Sequence, residues 1–324
     1  MLERLIAPLI LAVLCSCSGG PGTAPEKSSW AIAIHGGAGV ISKDLPPSQR
    51  EARETGLERA LASGKSILER GGTSLDAVEA VIRQLEDDPW FNAGRGAVFN
   101  HDGGHELDAS IMNGETMACG AVAGVTTVGN PISLARMVME RTNHVLLSGP
   151  GAERFAEEQG VERVDAQYFY TEQRHESYRN ALRDSGEGPG RDTVGAVALD
   201  RQGNLAAGTS TGGLTNKLHG RIGDSPIIGA GTYAKNATCA VSATGKGEEF
   251  IRHGVAHSIS FLMEYEKLSL QEAAERVVHQ VLRAGDGGII GVSRDGSIVM
   301  AFNTAGMYRG AADSSGRFEV RIWE

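Results

Sequence analysis

The residues best suited to chemistry lie at the bond between Asp192 and Thr193. A polar, glycine-containing stretch runs directly into residues 193–200, which have the composition of a buried strand. If the chain is cut before Thr193, its hydroxyl becomes a nucleophile. Its own α-amine, with an ordinary pKa of about 7.7–8.0, then becomes the nearest base. Thr193 also has a purely structural interpretation, because β-branched residues favour strands.

Segments rich in glycine, threonine and charged residues flank Thr193 on both sides. They are residues 35–39, 91–94, 106–109, 209–217, 219–226, 229–234, 243–248 and 302–308. Taken in order, they resemble the plant-type asparaginases, also called isoaspartyl peptidases, of the N-terminal-nucleophile hydrolases. The resemblance runs from Ile32 to about Arg309. One glycine motif is a weak signal, whereas this many in order is a strong one. The resemblance implies an α+β fold, the four-layer αββα sandwich.

The resemblance assigns roles around the nucleophile. Thr193 corresponds to the nucleophile itself, and Thr211 to a second threonine that bonds to it and tunes it. Asn92 resembles an asparagine near the nucleophile and the cleavage site. The Thr244 hydroxyl and the Gly245 N–H resemble an oxyanion hole, in which each donor lowers the barrier by about 3–4 kcal/mol.

The resemblance also assigns the groups that recognise the substrate. Arg221 corresponds to the residue that binds the α-carboxylate, which suits the fork of a guanidinium. Asp224 corresponds to the partner of the α-ammonium. Gly245 and Gly247 are expected to present backbone to the ligand from one loop. Taken alone, Arg221 and Asp224 would be a surface ion pair of little energetic value.

The resemblance further implies a structural sodium ion, held by backbone carbonyls of the loop at residues 85–95. The carbonyls concerned belong to Leu85, Glu86, Asp88, Phe91, Ala93 and Arg95. No cofactor is expected for catalysis, and the nine histidines show no zinc-ligand spacing. Without the resemblance, residues 87–89 would be interpreted as a solvated turn.

The expected activity is hydrolysis of β-aspartyl dipeptides and of the side-chain amide of L-asparagine, after self-cleavage before Thr193. Many plant-type relatives carry glycine before that threonine. Asp192, like residues 219–221, instead resembles the glycosylasparaginases, which are therefore an alternative. A threonine endopeptidase of the same fold is a weaker one. An alternative of another class is a lipoprotein that stays uncut and only binds amino acids.

Helices and hairpin-linked strands alternate along the chain, which predicts layered α and β structure with a largely antiparallel sheet. Residues 168–191 are polar and contain three glycines around Pro189, which predicts a mobile connector. Strands are predicted at 30–35, 107–112, 119–128, 144–147, 193–200, 205–209, 288–293 and 297–302. Helices are predicted at 47–70, 73–85, 131–141, 151–159, 246–266 and 269–283.

The N-terminus resembles an export signal. Residues 5–14 form an apolar run of signal-peptide length, too short to span a bilayer comfortably. The run ends in a sequence like the lipobox of bacterial lipoproteins, which would place a lipid on Cys17. The expected division is a signal at 1–17, a tether at 18–29, an α chain at 30–192 and a β chain at 193–324. The protein is expected to be periplasmic or membrane-anchored, or otherwise secreted.

Charge and cysteine content narrow the range of partners. The net charge is −9 and no basic stripe is present, so a nucleic-acid partner is not expected. A small-molecule substrate is expected, and the family resemblance implies a dimer of αβ pairs.

Cys119 and Cys239 are expected to be free thiols, with a disulfide between them as the alternative.

Overall fold

The computed structural model describes residues 28–184 and 192–324, which form two β-sheets and the helices that cover them. The strands are β1 (Ala31–Gly39), β2 (Leu107–Asn113), β3 (Cys119–Val125), β4 (Leu146–Ser148), β5 (Val194–Leu199), β6 (Leu205–Thr211), β7 (Thr232–Ala234), β8 (Cys239–Gly245), β9 (Gly287–Ser293), β10 (Ile298–Phe302), β11 (Gly306–Asp313) and β12 (Phe318–Arg321). The α-helices are α1 (Pro47–Glu69), α2 (Ser74–Asp87), α3 (Pro131–Arg141), α4 (Gly149–Glu158), α5 (Ala166–Phe169), α6 (Glu172–Arg183), α7 (Gly247–His253), α8 (Val255–Tyr265) and α9 (Leu270–Arg276). A 3₁₀ turn at Gly94–Gly96 and a π turn at Val277–Val281 complete the helical elements.

The large sheet has the strand order β12-β11-β1-β5-β6-β2-β3-β4, and the small sheet has the order β10-β9-β8-β7. The pairing is antiparallel except between β3 and β4, which confirms the predicted largely antiparallel pattern. Strands from before and after Asp192 are interleaved, since β1 lies between β11 and β5. A cut before Thr193 would therefore leave the two pieces hydrogen-bonded in one sheet.

Four layers stack in the order helix, sheet, sheet, helix, as predicted. Helices α1, α2 and α3 contact one face of the large sheet, and the small sheet contacts the other. Helices α8 and α9 cover the outer face of the small sheet. In β1 the larger Ile32 and Ile34 pack toward the first helical layer, while Ala31 and Ala33 pack in the second core. Small residues on that face allow the two sheets to approach closely.

The predicted mobile connector is wrong for its first part. Residues 166–169 and 172–183 form α5 and α6, although the segment is polar. Thr171 caps α6 by accepting a hydrogen bond from the backbone of Arg174, and Phe169 is fully buried. Rings of this segment also pack on Phe99. Tertiary packing of a few side chains has outweighed the polar composition.

Two other predictions need correction. The helix expected at 246–266 is two helices, α7 and α8, because Gly254 adopts a left-handed backbone (φ 52°) between them. Strands β7, β8, β11 and β12 were not predicted as strands. The prediction that Gly247 lies on the same loop as Thr244 and Gly245 is also wrong. Thr244 and Gly245 end β8, whereas Gly247 begins α7.

The described part of the chain contains no helix long and apolar enough to cross a membrane. Cys119 and Cys239 are both free, as expected, although Cys119 is only partly buried. Burial raises the pKa of Cys239 to about 12, so its thiol is unreactive at neutral pH. The predicted signal, Cys17 and residues 185–191 lie outside the described residues.

Candidate active site

Strand pairing brings Thr193 to Thr211. Val194 pairs with Ser210, so the residue before β5 lies opposite the last residue of β6. The Thr193 hydroxyl donates to the Thr211 hydroxyl across 3.1 Å, and both side chains are buried. The predicted nucleophile and its predicted partner are therefore neighbours with a specific contact.

Asn92 reaches the same point from the loop after α2. Its side-chain amide donates to the Gly213 carbonyl across 2.7 Å, and its side-chain oxygen accepts from Val98 N across 3.0 Å. Its backbone carbonyl accepts from Gly212 N. A Cβ at Gly212 would lie 2.6 Å from the Asn92 side-chain oxygen, so glycine is needed there. Asn92 thus fixes the chain that follows Thr211.

The predicted oxyanion residues end β8 in the small sheet. The Thr244 hydroxyl accepts a hydrogen bond from Ala38 N across 3.3 Å, which ties it to the glycine-rich end of β1. A Cβ at Gly245 would lie 2.1 Å from the Asp286 carbonyl oxygen. Only glycine can therefore hold the backbone of residue 245 in this position.

The predicted recognition residues line the same small pocket as the nucleophile. Arg221 and Asp224 share it with Thr193, Thr211 and Gly245. Burial raises the pKa of Asp224 to about 7, and its Oδ2 atom is buried without a hydrogen-bond partner. A buried carboxylate oxygen of this kind suits a cationic ligand group.

Gly247 lies between the two recognition side chains. A Cβ at this position would come within 2.9 Å of Arg221 Nη2 and 3.0 Å of Asp224 Oδ1. Glycine therefore lets α7 begin directly against Arg221 and Asp224. The contribution of Gly247 is its small size, together with the backbone it presents to the pocket.

Two larger surface hollows lie away from Thr193. One is next to α1 and α2, and the other is next to the turn between β5 and β6. Neither contains a residue predicted to be catalytic. The small pocket is the one in which the predicted residues meet.

Glu248, which the sequence did not single out, pairs with the predicted recognition residue Arg221. Its carboxylate accepts two hydrogen bonds from Arg221, from Nε and from Nη2, each across 3.0 Å. This bidentate pair uses one edge of the guanidinium and fixes its plane. The outer edge of Arg221, at Nη1, lies beside Gly223, which lines the pocket.

A second layer of buried charge supports the recognition residues. Asp108 and Lys217 are buried close to one another, and burial raises the pKa of Asp108 and lowers that of Lys217. Lys217 Nζ donates to the Glu106 carbonyl across 2.8 Å. The Glu106 carboxylate in turn accepts from Gly220 N across 2.9 Å. The segment that carries Arg221 is thus held at its start by Glu106.

His35 is the second residue whose role the sequence did not reveal. Its Nδ1 contacts the Thr193 carbonyl across 2.8 Å, and its Nε2 contacts the Ser242 hydroxyl across 2.9 Å. A carbonyl only accepts, so Nδ1 carries the proton and Nε2 accepts from Ser242. Burial lowers the pKa of His35 to about 4, so the ring is neutral at pH 7. A Cβ at Gly195 would lie 2.1 Å from the Ser242 hydroxyl, which explains the glycine two residues after Thr193.

A chain of hydrogen-bonded hydroxyl groups extends from Ser242, the partner of His35. Ser242 contacts Thr209 across 2.7 Å, Thr232 donates to Thr209 across 2.6 Å, and Ser110 contacts Thr232 across 2.8 Å. All four side chains are fully buried between the two sheets. The buried layer next to Thr193 therefore consists of polar, uncharged side chains that are hydrogen-bonded to one another.

The residues of the predicted sodium loop form one turn. Leu85 and Glu86 end α2, Asp88 follows as its cap, and Phe91, Ala93 and Arg95 lie in or beside the 3₁₀ turn. A Cβ at Gly94 would lie 2.4 Å from the Glu86 carbonyl oxygen, so the loop folds tightly onto the helix end. Among the described residues, no group of three or more His, Cys, Asp or Glu side chains is arranged to hold a metal ion.

The αββα sandwich with a threonine at the start of a central strand is the architecture of the N-terminal-nucleophile hydrolases. A sequence profile of the asparaginase family matches residues 28–322. The chain belongs to the asparaginase family, as the sequence motifs predict, and the family needs no cofactor for catalysis.

Named relatives are similar in sequence to this chain over most of their length. Identity to the isoaspartyl peptidase of Escherichia coli K12 is 50% over 292 residues, which covers 86% of this chain and 91% of that protein. The probable isoaspartyl peptidase/L-asparaginase 2 of Arabidopsis thaliana is 46% identical over 326 residues, covering 91% and 99%. The mouse isoaspartyl peptidase/L-asparaginase is 40% identical over 318 residues, covering 95% and 96%.

Proposed function

We propose that this protein is a self-cleaving amidohydrolase that hydrolyses β-aspartyl dipeptides and the side-chain amide of L-asparagine, with Thr193 as the nucleophile. The observation that carries the proposal is the pocket in which the Thr193–Thr211 hydroxyl pair faces Arg221 and Asp224. The names of the relatives in E. coli, A. thaliana and mouse agree with this substrate class.

Self-cleavage comes first. The Thr193 hydroxyl attacks the Asp192 carbonyl carbon, and the acyl group moves from nitrogen to oxygen. Water then hydrolyses the resulting ester, which gives an α chain ending at Asp192 and a β chain beginning at Thr193. His35 supports this step by holding the Thr193 carbonyl, which fixes one side of the reacting residue.

Turnover uses the freed α-amine. It accepts the proton of the Thr193 hydroxyl, which attacks the side-chain carbonyl carbon of the substrate. Thr244 and Gly245 stabilise the oxyanion, and the C–N bond breaks as ammonia or an amino acid leaves with a proton. Water then attacks the acyl-enzyme and releases aspartate. Arg221 and Asp224 bind the α-carboxylate and α-ammonium that asparagine and β-aspartyl peptides have in common.

Glycosylasparaginase activity is the second candidate, because Asp192 precedes the nucleophile. Purified, cleaved protein should be assayed for aspartate release from L-asparagine, a β-aspartyl dipeptide and a glycosylasparagine. We expect the first two to be hydrolysed and the third to be slow. Fast hydrolysis of the third alone would favour the alternative. A natural chain that stays uncut and binds amino acids without hydrolysing any of the three would favour the binding-protein alternative.

A sodium ion at residues 85–95 is part of the proposal. Pro89 has no N–H, so the Leu85 carbonyl lacks the helical donor four residues later. Trp90 N lies four residues after Glu86, but it donates to the Asp88 side chain. Carbonyls at this helix end are thus suited to a cation. We expect sodium chloride to raise Tm above that in choline chloride at equal ionic strength. Equal values would contradict the site.

The remaining proposals concern location and assembly. We propose export through the signal at 1–17 and lipid attachment at Cys17, with the α chain at 30–192, the β chain at 193–324 and a dimer of αβ pairs. Labelling with a radioactive fatty acid, compared between the natural chain and Cys17→Ala, tests the lipid. Light scattering of the cleaved protein tests the dimer.

A further inference from the structure

A buried arginine contacts the residue before the proposed cleavage point. Arg174 lies on α6, and its side chain is 6% exposed. Its Nη1 atom lies 3.7 Å from Asp192 Oδ2, and its Nε donates to the Gly96 carbonyl across 2.9 Å. Arg174 therefore connects Asp192 to the turn that follows Asn92.

Burial of the Arg174 guanidinium is energetically unfavourable, and only some of its N–H groups have hydrogen-bond partners. Burial lowers the pKa of Arg174, and the Asp192 carboxylate raises it. Its Nη2 atom is buried without a partner. Arg53 is also buried, and its guanidinium lies over the rings of Trp90 and Tyr308, at 4.9 and 5.6 Å.

Asp192 supplies the carboxylate in this environment. The charge of Arg53 lowers the pKa of Arg174, so the two cations are close enough to repel. Arg174 and Asp192 form the ion pair that offsets this repulsion. Burying an unpaired charge costs several kcal/mol. Asp192 therefore supplies a carboxylate within ion-pair distance of the buried Arg174 guanidinium.

The other side of Asp192 is bounded by β1. A Cβ at Gly37, where φ is 118°, would lie 2.7 Å from both Cα and Cβ of Asp192 and 2.8 Å from its Oδ1. Asp192 is thus held between the Gly37 backbone and the Arg174 guanidinium. These two contacts fix the acyl side of the bond, while His35 fixes the Thr193 side.

We propose that Arg174 is a positioning residue for self-cleavage, which holds the Asp192 carboxylate and so aligns the Asp192 carbonyl for attack by Thr193. The proposal rests on the self-cleavage of the proposed function. It explains how this chain accommodates aspartate where many plant-type relatives carry glycine. With glycine at position 192, the guanidinium would have nothing to hold.

The test follows conversion of one chain into two during pulse-labelled cell-free translation of the full chain. The variants are Arg174→Gln, Arg174→Lys, Asp192→Gly and the double variant Arg174→Gln/Asp192→Gly. Arg179→Gln is the matched control, because Arg179 lies on the same helix with a 55% exposed side chain paired to Glu172. Circular dichroism of each product checks folding.

We expect Arg174→Gln to slow cleavage about 10- to 100-fold, which corresponds to the loss of one partly buried charge pair. Arg174→Lys should recover part of the rate, and Arg179→Gln should cleave like the natural chain. In the Asp192→Gly background, Arg174→Gln should cause no further slowing. Equal slowing in both backgrounds, or a natural rate in Arg174→Gln, would overturn the proposal.

Two further outcomes separate this proposal from the one it rests on. If Arg174→Gln does not fold, Asp192→Asn removes the carboxylate charge and leaves Arg174 in place, and it should slow cleavage to a similar extent. A natural rate in Asp192→Asn would also overturn the role of Arg174. A natural chain that never cleaves overturns self-cleavage itself, and the positioning role with it.

Discussion

The two sides of the pocket are built from different kinds of side chain. The nucleophile side, defined as Thr193, Thr211, His35, Ser242 and Thr209, consists of hydroxyls and a neutral imidazole in continuous contact. The recognition side consists of charged groups, namely Arg221, Asp224, Glu248, Asp108 and Lys217.

This difference indicates that one side of the pocket serves catalysis and the other serves substrate binding. With His35 neutral, no described charged side chain bonds to the Thr193 hydroxyl, which agrees with the proposal that cleavage supplies the base as the new α-amine. The charges on the other side can then attract both ends of an amino acid without altering the nucleophile. Changes on the nucleophile side should therefore lower kcat, and changes on the recognition side should raise KM.

The largest effect is expected at Thr244, which we group with the nucleophile side because it lies on β8 two residues after Ser242. Thr244→Val removes a proposed oxyanion donor, so kcat should fall about 10²- to 10³-fold. KM for L-asparagine should change little, because the lost interaction forms mainly in the transition state. Steady-state kinetics on cleaved protein would measure both values, with Thr244→Ser as the control that keeps the hydroxyl. A rise in KM at unchanged kcat would move Thr244 to the recognition side.

The next effect is expected at Arg221. Arg221→Lys keeps the charge but loses the planar fork, so KM for L-asparagine should rise about 10- to 100-fold. Arg252→Lys is the matched control, since Arg252 is exposed and pairs with Glu249. Titration calorimetry with aspartate, the product, would measure binding directly. Equal binding by the two variants would contradict the role given to Arg221.

The pH dependence of binding should follow Asp224. Its raised pKa of about 7 means that the carboxylate is protonated below that pH and loses its attraction for the substrate ammonium. KM should therefore rise about tenfold as pH falls from 8 to 6, and Asp224→Asn should flatten this dependence. Kinetics across this range would test it. A KM independent of pH in the natural protein would count against an Asp224–ammonium contact.

The smallest effect is expected at Glu248, which orients Arg221 without facing the pocket directly. Glu248→Gln weakens the bidentate pair, so KM should rise about three- to tenfold while kcat stays within twofold. Glu249→Gln lies one residue later on α7 and should have no effect on KM. A fall in KM would instead show that Glu248 competes with the substrate carboxylate for Arg221.

The ordered glycine motifs allowed the family resemblance to be recognised, and that resemblance implied the four layers and the residues that meet at Thr193, which strand composition alone could not have shown. The sequence did not reveal Glu248 or Arg174, whose proposed roles depend on contacts with residues 27 and 18 positions away. The α6 helix was missed for a related reason. Its polar composition indicates a loop, whereas packing against Phe99 stabilises it.

The proposed mechanism requires that Thr193 becomes the N-terminal nucleophile. Intact mass and N-terminal sequencing of purified protein after incubation, with Thr193→Ala as control, test it most directly. We expect two chains in the natural protein, the second beginning at Thr193, and one uncut, inactive chain in the variant. A natural protein that stays as one chain, or a variant that still divides at the same bond, would contradict it.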